Sequence, residues 1–338
     1  MRVNLPHSIF MIEQKGFLNR QPVFIQLMLL LFLVFACTYI FTIAAMMLVG
    51  PLFGIDGADT LLTKVMKDSE GIKENGNDVN AIKLIQLFST IGTFLIPALI
   101  FGLTKGIGID FLKIKTKPSI LMLGLGMALI FLSAPLVNEI YTLNKMIDPE
   151  WLGGLGKGFL ESEKGNKLLT DLFLFMPKAQ DLIINVFVIA LIPAIAEELF
   201  FRGVIQQLLR ESFKSVHLSI WITAMLFSFI HLDFYGFIPR VLLGALLGYL
   251  FFWSNSMLVN IGAHFINNAS QVIMVYLFQS GIISFDAQSD ESMPWSITLL
   301  FSLIMLGLLI IVYRKRVIEK KTEPEIIPDS IFPDNNYG

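Results

Sequence analysis

The chain has 338 residues, 55% apolar and 15% charged, with a formal net charge of −2 and a mean hydropathy of +0.70. These values lie far from those of soluble globular chains and make lipid the expected solvent. No basic stripe extends beyond the ends of the apolar segments, which points away from nucleic acid as a partner. The single cysteine, Cys37, rules out an intrachain disulfide and a multi-cysteine metal site.

A bilayer core about 30 Å thick takes roughly 20 apolar residues per helix. Eight windows of that kind follow one another, over 23–49, 84–104, 120–141, 182–209, 218–232, 237–253, 256–278 and 294–313. Their continuous apolarity predicts helices; barrel strands would alternate. The expected fold is therefore all-α, a polytopic membrane protein of about eight transmembrane helices. The first window follows a segment at 1–22 and is too long for a cleavable leader, so it reads as a retained span or an uncleaved signal anchor. Residues 23–181 hold the first three spans and two polar stretches, 54–83 and 142–181, which read as ordered loops or interfacial helices. Residues 182–278 form a core of four spans, and 279–318 an acidic loop and the last span. The tail at 319–338 is polar, contains Pro324, Pro328 and Pro333, and is expected to be disordered.

Threading eight spans puts Arg20, Lys105, Lys113, Arg210, Lys214 and the Arg314–Arg316 cluster on one side. By the positive-inside rule that side is the cytoplasm, with both termini inside. The loop Ser280–Pro294 is acidic and lacks Lys and Arg, as an outside loop would. Lysines in the two long opposite-side loops, such as Lys64 and Lys157, run against this orientation. Short loops and no eukaryotic-style sorting signal point to a bacterial plasma (inner) membrane.

An ionisable group in mid-span costs at least about 2.5–3.5 kcal/mol, so each needs a reason. They collect at Ala196-Glu197-Glu198-Leu199-Phe200-Phe201-Arg202, at Phe227-Ser228-Phe229-Ile230-His231 and at His264-Phe265-Ile266-Asn267-Asn268. Glu198 and Arg202, four apart, share a helix face and form a charge-assisted pair. Glu197 is rotated by about 100° from that pair. A carboxylate left in an apolar wall can take a proton, as a general base must. The plainer reading, both glutamates as structural partners of Arg202, carries comparable weight on these residues alone.

If the fourth and fifth spans form a hairpin turning near Lys214, Glu197 and His231 are each seventeen residues from the turn and share a depth. They could then activate one water between them; taken alone, His231 reads more simply as lining a helix end. His264 and Asn268, also four apart, could both donate to a developing oxyanion or serve as interhelical polar glue. Gly244 and Gly248 form a small-residue helix-packing face. Arg240 is expected to reach the interface or pair with Asp233, with substrate binding as the alternative. His7 and His217 lie outside the spans and read as solvated. The sequence contains no HExxH, GxSxG or P-loop.

These three clusters, in this order, resemble the CPBP family, also called the Abi or type II CAAX prenyl endopeptidase family, whose pattern is EExxxR, then FxxxH, then HxxxN or HxxxD. Glu197, Glu198 and Arg202 fill the first motif, Phe227 and His231 the second, His264 and Asn268 the third, and the resemblance spans roughly 182–278. It implies endopeptidase activity within the membrane on membrane-associated peptides or proteins. By the same resemblance Glu197 and His231 activate water, His264 and Asn268 stabilise the oxyanion, and Glu198, Arg202 and Phe227 support them. No cofactor is expected; the alternative is zinc held by Glu197, His231 and His264. A non-catalytic membrane regulator or immunity protein on the same scaffold is the competing reading. A proton-coupled transporter would call for paired broken helices in two related halves, which the sequence does not show.

Overall fold

The computed structural model describes residues 16–55, 61, 63–65, 69–105, 110–286 and 294–322. Most of the N-terminal segment, with His7, and the proline-containing tail from Glu323 lie outside the described residues. Among the described residues every regular element is helical. The main helices are α1 (Val23–Phe53), α2 (Gly76–Thr104), α3 (Ile120–Asn144), α4 (Gly154–Phe173), α5 (Ala179–Phe213), α6 (Val216–Phe229), α7 (Phe237–Ser254), α8 (Met257–Gln279) and α9 (Trp295–Thr322).

Of the eight expected spans, six are long and apolar enough to cross a bilayer: α1, α2, α3, α5, α7 and α9. Helix α6 has only 14 residues. Helix α8 has 23, but Asn260, His264, Asn267, Asn268 and Gln271 dilute its apolarity, and it is not among the six. The membrane solvent shows in α1, where Phe24, Phe32, Phe35, Tyr39 and Met47 are all at least 66% exposed. In water so wide an apolar face would be a liability.

Two helices carry widened π turns, each followed by a proline. In α2 the π turn Ile91–Leu95 precedes Pro97, and in α5 the π turn Val186–Leu191 precedes Pro193. Proline has no N–H for the ordinary ladder and clashes with the preceding turn, and the wider turn relieves both problems. A second π turn in α5, Phe201–Ile205, contains Arg202. Helix α2 crosses α1 closely: a Cβ on Gly92 would lie 2.6 Å from Cβ of Phe41, and Thr38 and Thr93 hydroxyls bond beside it at 2.9 Å.

The hairpin expected near Lys214 is present. Lys214 ends α5 in the left-handed region (φ 52°), and Ser215 caps α6. Phe201 and Phe227, each thirteen residues from Lys214, meet edge-to-face at 5.1 Å, so the two arms are level at this depth. Helix α6, however, ends at Phe229, and His231 lies in the turn beyond it, not within a span reaching 232. The chain breaks there because Leu232 takes φ 48° and the Asp233 carboxylate accepts from the Gly236 N–H at 2.9 Å, a side-chain-stabilised turn that leads into α7. Gly244 and Gly248 serve as the small-residue face of α7: a Cβ at either would lie within 3.2 Å of Ala224 or Ile220 on α6.

The polar stretch 142–181 contains α4, and α4 reaches the site: the Asn166 side chain donates to the His231 carbonyl at 3.0 Å. Lys105, one of the cations used to orient the chain, is 1% exposed and paired with Glu211 at 2.8 Å, tying the end of α2 to the end of α5.

Candidate active site

Helices α5, α7 and α8 meet at one fully buried carboxylate. Glu198 and Arg202 are both 0% exposed and pair at 2.6 Å, as their four-residue spacing predicts. A charge pair removed from water survives only when its remaining polar atoms also find partners. Arg202 donates a second bond to the Gly244 carbonyl at 3.0 Å, and its guanidinium lies over the Phe227 ring, 5.0 Å from the centroid. Glu198 Oε1 also faces His264 Nδ1 at 2.8 Å, and its Oε2 accepts from Asn260 Nδ2 at 3.1 Å. Asn260 donates in addition to the Leu247 carbonyl at 2.8 Å.

Sequence reasoning missed Asn260. The signal was present: Asn260, His264 and Asn268 recur every fourth residue on one face of α8. Gly244 was read as a packing residue alone, yet its carbonyl also accepts from Arg202. Asn166 and Asn144 were equally invisible, since their bonds to the 231–236 turn span 65 to 91 residues; Asn144 Nδ2 donates to the Tyr235 carbonyl at 2.7 Å and the Phe234 carbonyl at 3.2 Å.

Glu197 stands apart from the closed network, as its rotation on α5 requires. Its side chain is 13% exposed, and Oε2 lies 3.8 Å from His264 Nε2, so His264 is the imidazole in ion-pair range of Glu197. His231 approaches from the side: its ring meets Phe227 edge-on at 5.1 Å, and Phe227 in turn meets His264 at 6.1 Å. Phe227 is thus the apolar wedge between the two imidazoles. Asn268 lies one turn beyond His264, and its Oδ1 accepts from Asn267 at 3.0 Å, which leaves its amide N–H groups as donors.

Hydrogen bonding assigns the ring protons. His231 Nδ1 is 2.7 Å from the Phe227 carbonyl, which can only accept, so Nδ1 carries hydrogen and a neutral ring offers a lone pair at Nε2. His264 donates Nδ1–H to Glu198 in the same way, and its Nε2 faces Glu197. Zinc-bound histidines use comparable Nδ1 partners. Among the described residues no group of three or more His, Cys, Asp or Glu is placed to hold a metal ion.

Arg240 pairs with Asp233 at 2.8 Å, and His217 bonds Tyr249 at 2.7 Å far along α6 from the cluster. A cavity of about 280 Å³ opens beyond Arg202 toward the Lys214 turn, lined by Lys113, Gln206, Arg210, Ser219, Phe251 and Asn255; the acid–imidazole cluster does not line it.

Comparison with known families matches residues 179–270 to the model described as Type II CAAX prenyl endopeptidase Rce1-like. The matched stretch runs from the start of α5 into α8 and contains all three motifs. No curated protein and no solved structure matches the chain.

Proposed function

We propose, from the match of residues 179–270 to the model of Rce1-like type II CAAX prenyl endopeptidases, that this membrane-embedded chain is an intramembrane endopeptidase acting on membrane-associated peptides or proteins. The observation that carries the proposal is the division of labour between adjacent glutamates. Glu198 is consumed by Arg202, His264 and Asn260, whereas Glu197, outside that network, has a slightly exposed side chain and lies beside an imidazole. A purely structural acidic pair would have both members satisfied.

In this reading Glu197 and the Nε2 lone pair of His231 take the proton of an attacking water, and the carboxylate or imidazole later returns it to the leaving amine. His264 Nε2 and Asn268 Nδ2 are the groups that face and stabilise the oxyanion of the tetrahedral intermediate. Arg202 and Asn260 hold Glu198, and Glu198 sets the His264 ring. Phe227 keeps water from spreading between the imidazoles. Each of these steps is carried by side chains of the chain itself, and the reading assigns no step to a metal. We place the protein in a bacterial plasma membrane, from its short loops and lack of a eukaryotic-style sorting signal, with both termini cytoplasmic, from the distribution of Lys and Arg.

The test compares membrane peptidomes from cells carrying the wild-type chain, Glu197→Gln and His231→Ala. Products present with the wild type and absent with both variants, at equal amounts of folded protein, are expected. Unchanged products, or undiminished biological function in both variants, would favour a non-catalytic regulator on the same scaffold. Stoichiometric zinc in purified protein, lost together with activity on chelation, would replace the metal-free scheme.

A further inference from the structure

The cavity of about 280 Å³ beyond Arg202 is separate from the acid–imidazole cluster and has a chemistry of its own. Two cations line it, Lys113 and Arg210, and no carboxylate does. Neither cation forms an ion pair among the described residues; the nearby acids are engaged elsewhere, Glu211 with Lys105 at 2.8 Å and Asp110 with Lys115 at 2.9 Å. Arg210 instead lies over the Phe252 ring, 5.5 Å from its centroid, a contact that orients the guanidinium and leaves its N–H groups to a ligand.

Backbone geometry fixes the mouth. Arg210 is in the last turn of α5, the Lys113 carbonyl (φ 57°) accepts from the Met257 N–H at 3.2 Å, and Asn255 (φ 51°) turns α7 into α8. The inner wall is buried and uncharged, formed by Gln206, Ser219 and Phe251. Gln206 is 5% exposed; its Nε2 donates to the Gly248 carbonyl at 3.2 Å, and its Oε1 has no hydrogen-bond partner. Ser219 Oγ donates its proton to the Val216 carbonyl at 2.8 Å, so it presents only lone pairs. Cationic donors at the mouth and acceptors without donors inside are the complement of a phosphate ester that also carries hydroxyl groups.

We propose that this cavity holds the headgroup of an anionic glycerophospholipid, with the phosphate between Arg210 and Lys113 and a headgroup hydroxyl directed to the inner wall at Gln206. Soluble glycerol or sugar phosphates share that chemistry, and the position of the cavity favours the lipid. Arg210 precedes the Lys214 turn by four residues, about 6 Å of helix, a depth that matches a headgroup layer about 5–7 Å thick. Phe251, Phe252 and Val216 supply an apolar flank for the stem of the lipid. Basic pockets between membrane helices take anionic headgroups in this way. A zwitterionic headgroup would bring its ammonium toward two cations with no carboxylate to receive it. This binding site is independent of the peptidase reading.

The experiment measures lipid binding to the full chain in neutral detergent micelles by native mass spectrometry. Phosphatidylglycerol and phosphatidylcholine with identical acyl chains compete in one sample, and inorganic phosphate and glycerol phosphate are added in separate arms. The wild type is expected to prefer phosphatidylglycerol by at least about tenfold, since each cation near the surface contributes to holding the anion. Arg210→Gln combined with Lys113→Gln should bring the ratio near one. Lys115→Gln combined with Lys117→Gln removes the same charge from the same end of the bundle outside the cavity, and should leave the ratio within about twofold of the wild type. Each ratio is internal to one preparation, so partial loss of folded protein does not move it. Equal binding of the two lipids by the wild type overturns the site, as does an equal loss of preference in both double variants, which would mean a diffuse surface charge. Displacement of the lipid by millimolar phosphate or glycerol phosphate overturns the lipid as occupant. Phosphatidylmethanol, anionic but without a headgroup hydroxyl, should bind more weakly than phosphatidylglycerol, and equal binding overturns the hydroxyl contact at Gln206.

Discussion

Replacing Asn260 with alanine tests whether the buried network, and not mere apolar packing, holds α8 against α5 and α7. The substitution deletes two bonds, to Glu198 Oε2 at 3.1 Å and to the Leu247 carbonyl at 2.8 Å. The first ends on a buried carboxylate, and bonds to charged groups contribute about 1.5–3 kcal/mol; the second is an ordinary bond of about 0.5–1.5 kcal/mol. No other donor to Oε2 is present among the described residues, and residue 260 is 0% exposed, so water does not readily replace the amide. The expected loss is therefore about 2–4.5 kcal/mol. Equilibrium unfolding in mixed micelles would measure it. A double-mutant cycle with Glu198→Gln should isolate about 1.5–3 kcal/mol of coupling between the two side chains. A loss within about 0.5 kcal/mol, or strict additivity in the cycle, would refute the network account.

Three further outcomes follow from the same contacts. Glu198→Gln should cost about 3–5 kcal/mol in the same unfolding assay, because it strands a buried guanidinium, and Glu198→Leu combined with Arg202→Met should recover much of that loss. Gly248→Val should destabilise by roughly 1–3 kcal/mol, since even a Cβ there comes within 2.8 Å of Ile220; a neutral result would mean that α6 and α7 separate freely. Asn166→Ala removes one part-buried bond to the His231 carbonyl, so melting should move by no more than about 1 kcal/mol, while single-turnover cleavage slows as His231 loses its fixed position. Equal cleavage rates would show that α4 does not position the histidine.

Several features were legible because they are local. The Glu198–Arg202 pair follows from a spacing of four, the turn at Lys214 from the polar break between two apolar windows, and the level of the hairpin from counting residues, which Phe201 and Phe227 match. The close face of Gly244 and Gly248 was readable for the same reason. Counting apolar residues overreached at α6, where the window to 232 ignores the turn that Leu232 and Asp233 impose. At α8 the expected window, 256–278, matches the helix Met257–Gln279, although that helix is not among the six.

By itself the sequence determined that the chain lives in lipid as a bundle of helices, and which polar side chains had to be explained, because hydropathy and helical period are properties of neighbours along the chain. Only the tertiary structure decided how those side chains divide: Glu198 closed in by Arg202, His264 and Asn260, and Glu197 outside that network within ion-pair range of His264. That division depends on contacts between residues tens of positions apart. Such contacts are set by how helix faces rotate and cross, and no spacing within one helix encodes them.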